Sequence, residues 1–207
     1  MKLLALIPAR GGSVRIPRKN IKELCGKPLV VWSIDSALES KLIDKVLVST
    51  DDSSIGSIVA NNGADVLYRP SDLSDADASL QPVIFHAVSK YPMFDAVVVL
   101  NPTSPIRIHG LVDKCIRRFV ADGCDELVTG FYSVERAYPH PDIASHLLLP
   151  HFVFNGSVRI LTKELVLSGK PFGDNITMFE TGNIYNHEVD TMDDYDDMVD
   201  RIRRLGL

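Results

Sequence analysis

Apolar and polar positions change period repeatedly along this chain, and the two periods alternate. Residues 2–9 (KLLALIPA) are a short, continuous apolar run, as in a strand buried on both faces. Residues 28–41 (PLVVWSIDSALESK) return apolar side chains at Val31, Ile34 and Leu38 and put Ser33 and Glu39 elsewhere, which is helical spacing. The alternation continues with a strand at 45–50, a helix over 54–64 closed by Gly63, and a short strand at 65–70. A helix over 79–91 carries Pro82 in its first turn, where the missing N–H has no intrahelical partner to lose. Residues 95–105 (DAVVVLNPTSP) are the clearest buried strand. A helix over 110–123 sets Leu111, Cys115, Ile116 and Phe119 on one face, and 126–134 read as another strand. Short apolar strands between amphipathic helices predict an α/β domain whose mostly parallel sheet is covered on both faces.

Beyond Val134 the pattern loosens. Residues 135–154 are rich in proline and histidine and take no assignment. Residues 156–165 read as a strand entering a helix, and 181–191 as a short strand and turn. Residues 192–207 read as a terminal helix with Tyr195, Met198, Ile202 and Leu205 on one face. No repeat, linker or low-complexity tract interrupts the 207 residues, so one domain over 1–207 is expected.

Composition narrows the function. Charged residues are 24% and apolar residues 45%, ordinary for a globular domain, and no apolar run approaches the roughly 20 residues of a membrane span. The N-terminal apolar run lacks the length and cleavage site of a signal peptide. Cys25, Cys115 and Cys124 are an odd set without metal-like pairing, so reduced thiols and a cytoplasmic protein are expected. A net charge of -5 argues against nucleic acid as a partner, and no membrane partner is expected.

Sheets of this kind bind ligands beyond the carboxyl ends of their strands. After the first strand comes ARGGSVRIPRKN, in which Arg10, Arg15, Arg18 and Lys19 crowd into an otherwise acidic chain. Gly11 and Gly12 allow backbone N–H groups to approach an anion closely, and the cations can neutralise several negative charges. The spacing is neither a Walker A motif nor GxGxxG. The loop is therefore either a cradle for phosphates or a solvated basic turn. After the central strand, Pro102 and Pro105 stiffen a segment that presents Asn101, Thr103, Ser104 and Arg107. Arg107 is as readily a structural ion-pair partner as a ligand contact. Glu188 and Asp190, two apart on the expected late strand, share a face, and hard-ligand logic makes them a Mg²⁺ site. The alternative for Asp190 is an N-cap of the terminal helix, and Asp51 and Asp52 are a weaker pair that fits a helix cap. His86 reads as structural, and His140, His146, His151 and His187 lack metal-ligand periodicity.

Several collinear motifs carry a family resemblance: IPARGGSVRIPRKNI, then GKPLVVWSIDSALESKLIDKVLVSTDD, GADVLYRPSDLSDADAS, LNPTSPIR, FNGSVRI and EVDTMDDY. Together they resemble the CMP-sialic acid synthetases (acylneuraminate cytidylyltransferases), including those for pseudaminic and legionaminic acids. The resemblance implies a three-layer α/β/α nucleotidyltransferase fold with a mostly parallel, Rossmann-like sheet. It implies a Mg²⁺-dependent reaction of CTP with a 2-keto sugar acid, giving a CMP-sugar and pyrophosphate. It places Arg10, Ser13 and Lys19, with Gly11, Gly12 and Arg15, at the triphosphate, and Asn20, Arg69 and Ser79 at the nucleotide. Asn101, Thr103, Ser104, Arg107, Asn155 and Arg159 would meet the sugar acid, and Glu188 and Asp190 the metal. Arg10, Lys19 and Asp190 are the residues expected to carry catalysis. For Ser79, a helix N-cap fits the spacing equally well.

The chain also departs from the family. Val14 stands where lysine is usual, with Arg15 next to it as a substitute charge. Asn101 replaces a usual glutamine, Arg159 a frequent tyrosine, and Glu188 an aspartate. The insertion around 135–154 is short, and Arg136 is its only arginine. Family habit extends to a possible homodimer, although its usual spanning element is reduced. The other readings are a cytidylyltransferase for another acid such as a phosphonate, a nucleotidyltransferase for another sugar or base, and a catalytically silent nucleotide-binding relative.

Overall fold

The structure is a computed structural model that describes residues 1–74, 79–133, 151–182, 185 and 187–207. The expected short insertion therefore lies, as far as residue 150, outside the described residues. The elements run β1 (Leu3–Pro8), β2 (Glu23–Leu24), β3 (Lys27–Pro28), α1 (Leu29–Glu39), β4 (Lys45–Thr50), α2 (Ser53–Asn61) and β5 (Asp65–Tyr68). There follow α3 (Gln81–Lys90), β6 (Ala96–Val99), α4 (Leu111–Asp122), β7 (Glu126–Ser133), β8 (His151–Thr162), α5 (Lys163–Ser168), β9 (Ile176–Glu180) and α6 (Met192–Leu205).

Seven strands form one sheet in the order β5-β4-β1-β6-β8-β7-β9. Only β8 runs against its neighbours, β6 and β7; every other pairing is parallel. The continuous apolar runs have the cause expected of them. On β1, Leu3, Ala5 and Ile7 face the helices α1, α2 and α4, while Leu4 and Leu6 face α3 and α5. Both faces are covered, so the three-layer α/β/α expectation holds. Among the described residues no helix is long and apolar enough to cross a membrane.

A third cluster joins Ile16, Leu24, Leu29, Trp32, Ile106, Val189, Met198 and Ile202. It seats α6 against the β2–β3 hairpin and the basic loop, and so brings the end of the chain to the carboxyl end of β1. Three expectations change. The late strand lies at β9, and residues 187–190 carry no regular structure, so Glu188 and Asp190 are not strand neighbours sharing a face. That segment is held from outside instead: the Val189 N–H donates to the Thr103 carbonyl at 2.7 Å. β8 begins at His151, five residues before the expected start at 156. The small hairpin was not expected.

From β1 the chain steps outward to β4 and β5, then returns to the far side of β1 at β6. The connections leaving β1 and β6 therefore diverge, and a crevice opens between their carboxyl ends.

Candidate active site

A cleft of about 280 Å³ occupies that crevice. The end of β1 contributes Pro8 and Arg10, the basic loop Gly12, Ser13, Lys19 and Asn20, and the end of β6 Asn101, Pro102 and Thr103. Arg69, Leu73, Ser79, Leu80 and Val83 close the other side. Three of these residues are cationic (Arg10, Lys19, Arg69) and none is acidic, in a chain whose net charge is -5. The basic loop lends Gly12, Ser13, Lys19 and Asn20 to one wall of this cationic cleft, while Arg15 and Arg18 are exposed.

The loop's path is fixed by a contact within itself and by contacts with two other segments. The Asn20 amide donates to the Arg10 carbonyl at 2.8 Å and turns the loop back on itself. The Gly11 N–H donates to Asp51 at 3.0 Å. A Cβ on Gly11 would lie 2.7 Å from the Asp52 side chain, so the close approach needs glycine. Asp52 caps α2, accepting from the N–H groups of Ser54 and Ile55. Lys19 donates to the Val189 carbonyl at 2.8 Å and to Asp190 at 2.9 Å. Arg15 does not line the cleft; it is mostly exposed, with its guanidinium 3.9 Å from Asp190. Val14 is 81% exposed and is not among the residues lining the cleft.

Arg69 leaves the end of β5 and is buried. Its Nε donates to Ser74 at 3.1 Å, and its guanidinium lies 3.8 Å from Asp51. Burial pushes its pKa below the ordinary guanidinium value, with Asp51 opposing and Arg10 reinforcing the shift. Ser79 lines the cleft, and the N-cap position of α3 falls to Leu80 without a side-chain cap, so the capping alternative for Ser79 is set aside.

Four residues expected at the sugar acid have protein partners and do not line the cleft. Ser104 is buried and donates to the Asn155 carbonyl at 3.1 Å and to Glu188 at 3.4 Å. Arg107 is buried and donates to Ser157, Ser33 and Asn101. The Asn155 amide is consumed inside the sheet: its Oδ1 accepts from Thr129 at 2.8 Å and its Nδ2 donates to Thr181 at 2.8 Å. Arg159 pairs with the buried Glu126 at 2.7 Å. Each of these groups finds a hydrogen-bond partner in the protein, as buried polar groups do. Asn101 and Thr103 alone of the six expected residues line the cleft.

Glu188 and Asp190 lie outside the cleft lining, Asp190 bonded to Lys19 and Glu188 to Ser104. Glu188 is exposed as a residue, yet its carboxylate reaches inward to Ser104. A Cβ on Gly156, at φ 66°, would collide with that carboxylate, so glycine there serves both the backbone and the close approach. The protein packed around the carboxyl, and then the charge of Asp190, raise the Glu188 pKa above the ordinary value. Asp190 is not the helix cap. Thr191 caps α6 in a capping box with Asp194, which leaves the Asp190 side chain for Lys19. Among the described residues no group of three or more His, Cys, Asp or Glu could hold a metal. Glu188 and Asp190, the latter bonded to the cleft residue Lys19, are hard carboxylates of the kind that suits Mg²⁺, which takes one or two of them and fills its shell with phosphate and water.

Two features of the site do not stand out in the sequence: Asp51, which ties the basic loop to Arg69, and the apolar wall of Leu73, Leu80 and Val83. STDD flagged Asp51 only as a weak carboxylate. The wall had no signal of its own, since Val83 reads as ordinary helix core.

Residues 4–142 match the cytidylyltransferase family. Over 106 residues the chain is 42% identical to an N-acylneuraminate cytidylyltransferase of Escherichia coli, covering 51% of this chain and 25% of that protein. Over 146 residues it is 38% identical to a pseudaminic acid cytidylyltransferase of Campylobacter jejuni, covering 67% of this chain and 63% of that one. The chain thus spans less than two thirds of the length of either relative. A solved CMP:2-keto-3-deoxy-manno-octonic acid synthetase, complexed with CTP, shares the fold at a TM-score of 0.80 and 18% identity, over 99% of this chain and 100% of that one.

Proposed function

The chain belongs to the cytidylyltransferase family, and from that premise we propose that it joins CTP to a nonulosonic (sialic-type) sugar acid in a Mg²⁺-dependent reaction. The products are the CMP-sugar and pyrophosphate. The observation that carries the reading is the cleft itself: Arg10, Lys19 and Arg69 face one crevice at the switch point of the sheet, with no carboxylate on its lining. Such a lining suits a triphosphate.

In the reaction the anomeric hydroxyl oxygen attacks the α-phosphorus. A new O–P bond forms as the bond to the oxygen bridging the β-phosphate breaks, pyrophosphate leaves with the electron pair, and one proton is released. Arg10 and Lys19 offset the charge on the phosphates, and Gly12 and Ser13 hold them from the loop. Asn20 and Arg69 keep the nucleotide's place, and Ser79 with Leu73, Leu80 and Val83 forms its other wall. Asn101 and Thr103 present fixed polar groups to the acid and align its hydroxyl. Glu188 and Asp190 would hold Mg²⁺, which when bound adds positive charge at the phosphates. A cytoplasmic setting and a homodimer belong to the same proposal; three free thiols support the former.

Pyrophosphate release with CTP and Mg²⁺ against N-acetylneuraminic, pseudaminic and legionaminic acids, Kdo and a few phosphonates tests the reading. Release with one nonulosonic acid, lost on omitting Mg²⁺, is expected. Release with a phosphonate alone would move the acceptor. CTP binding without release for any acid would overturn the transferase reading.

A further inference from the structure

We propose that Arg107 is a positioning residue that sets the acid-facing wall of the cleft by fixing the carbonyl of Asn101. The inference rests on the reading of that wall as the acceptor side. Arg107 leaves the segment after β6, turns inward, and is 7% exposed. Its three nitrogens reach two other elements and its own segment: Nε donates to the Ser157 carbonyl on β8 at 2.7 Å, Nη1 to Ser33 Oγ on α1 at 2.9 Å, and Nη2 to the Asn101 carbonyl at 2.9 Å. Among the described residues it makes no ion pair within 4 Å. Burial pushes its pKa down to about 9, with Cys115 opposing, so it stays protonated at neutral pH. A charge buried against neutral acceptors is costly for stability, and apolar residues would fill the same volume more favourably. What the guanidinium supplies is a planar fork that a lysine ammonium cannot reproduce.

Nη2 shares its acceptor with two other donors. The Asn101 carbonyl also accepts from the Ser104 N–H at 3.2 Å and from Ser33 Oγ at 3.3 Å. With its carbonyl drawn inward, the Asn101 backbone is fixed at the carboxyl end of β6, and its side chain lines the cleft. The Asn101 Nδ2 lies 3.1 Å from where a Gly156 Cβ would stand, so the amide sits on the side of the cleft nearest Glu188. The nucleotide's cations, Arg10, Lys19 and Arg69, come from other segments, and Arg107 touches none of them through the bonds above. Losing Arg107 should therefore disturb the acceptor and spare CTP.

Arg107→Lys, Asn101→Ala and the double variant test this by three readouts: CTP affinity by calorimetry, kcat and KM for the acid, and the Asn101 side-chain amide resonance, assigned by its absence in Asn101→Ala. With Arg107→Lys, CTP affinity is expected to stay within about twofold while kcat/KM for the acid falls by about tenfold to a hundredfold. The double variant should be no worse than the poorer single, because Arg107 acts through Asn101. The Asn101 amide resonance should shift. Parallel losses in CTP affinity and acid turnover would reduce Arg107 to general scaffold, and additive losses or an unmoved amide would overturn the proposal. If the wild type turns over no acid, the functional reading fails, and the amide resonance still decides Arg107. Should Arg107→Lys not fold, Ser33→Ala removes one arm of the fork and is expected to shift the same resonance; no shift would count against the proposal.

Discussion

A methyl group on residue 11 has nowhere to go. It would lie 2.7 Å from both Cβ and Oδ2 of Asp52, the residue that caps α2, so either the cap or the loop must yield. Gly11→Ala should weaken CTP binding by about tenfold and cost about 1 kcal/mol of stability, the typical value of a lost cap. Gly12→Ala, with nothing within 4 Å of its Cβ, should leave stability nearly unchanged. Thermal melting of the two variants checks the contrast, and equal stabilities would remove close approach to Asp52 as the reason for glycine at position 11. Asp190 should behave differently again. Asp190→Ala is expected to abolish Mg²⁺-dependent turnover and leave the melting temperature close to the wild type, since Asp190 is partly exposed and the cap belongs to Thr191. A metal titration of turnover decides it; retained activity removes Asp190 from the metal site. For Val14, exposed and off the cleft, replacement by lysine should leave CTP affinity within about twofold, as befits a surface position away from special contacts.

At the level of elements, α6 links stability to the site. Its capping box holds three groups on one carboxylate: Asp194 accepts from the Asp190 N–H, the Thr191 N–H and the Thr191 hydroxyl. Thr191→Ala should cost about 1 kcal/mol and also loosen the backbone that aims Asp190 at Lys19. The expected outcome is a lower melting temperature together with a weaker apparent Mg²⁺ affinity; a fall in melting temperature alone would separate the cap from the site. Elements with strong periods were legible in the sequence. The β4 strand stands where KVLVST put it, and α4 fills the expected 110–123 stretch less its Gly ends. The misses have a common cause. Each strand of the β2–β3 hairpin is two residues long, too short to show a period. β9 alternates exposed and covered residues over five positions and pairs with β7 fifty residues away, a partner no local pattern names.

At the scale of the whole molecule, chemistry and charge are partitioned. Cys25 is exposed, whereas Cys115 and Cys124 are buried, and burial pushes the Cys115 thiol up to about 12, with Arg107 opposing. A thiol reagent should therefore label Cys25 alone in the native protein and the other two only on unfolding; mass spectrometry of the labelled chain would show it. The folded Cys115 keeps its proton above the ordinary thiol range, so its contribution to stability is complete below about pH 9 and falls as pH rises toward about 12. The acidic chain concentrates cations on one crevice. CTP binding should accordingly weaken as salt rises from 0.1 M, where the screening length is about 10 Å, toward 1 M, where it is about 3 Å.

The sequence by itself determined the layered α/β fold, the position of the crevice and the basic loop that walls it. These follow from local period and from strand-end chemistry, which neighbouring residues specify together. It also carried the family, through motifs in collinear order. Only the tertiary structure decided which polar residues line the cleft. Ser104, Arg107, Asn155 and Arg159 have the side chains of a binding site, yet each finds its partners on another element, forty or more residues away in the case of the Ser104–Asn155 and Arg107–Ser157 bonds. Whether a hydrogen-bonding group serves substrate or scaffold depends on which acceptors are within about 3 Å, and that is set by packing across the sheet rather than by the residue or its neighbours in the chain.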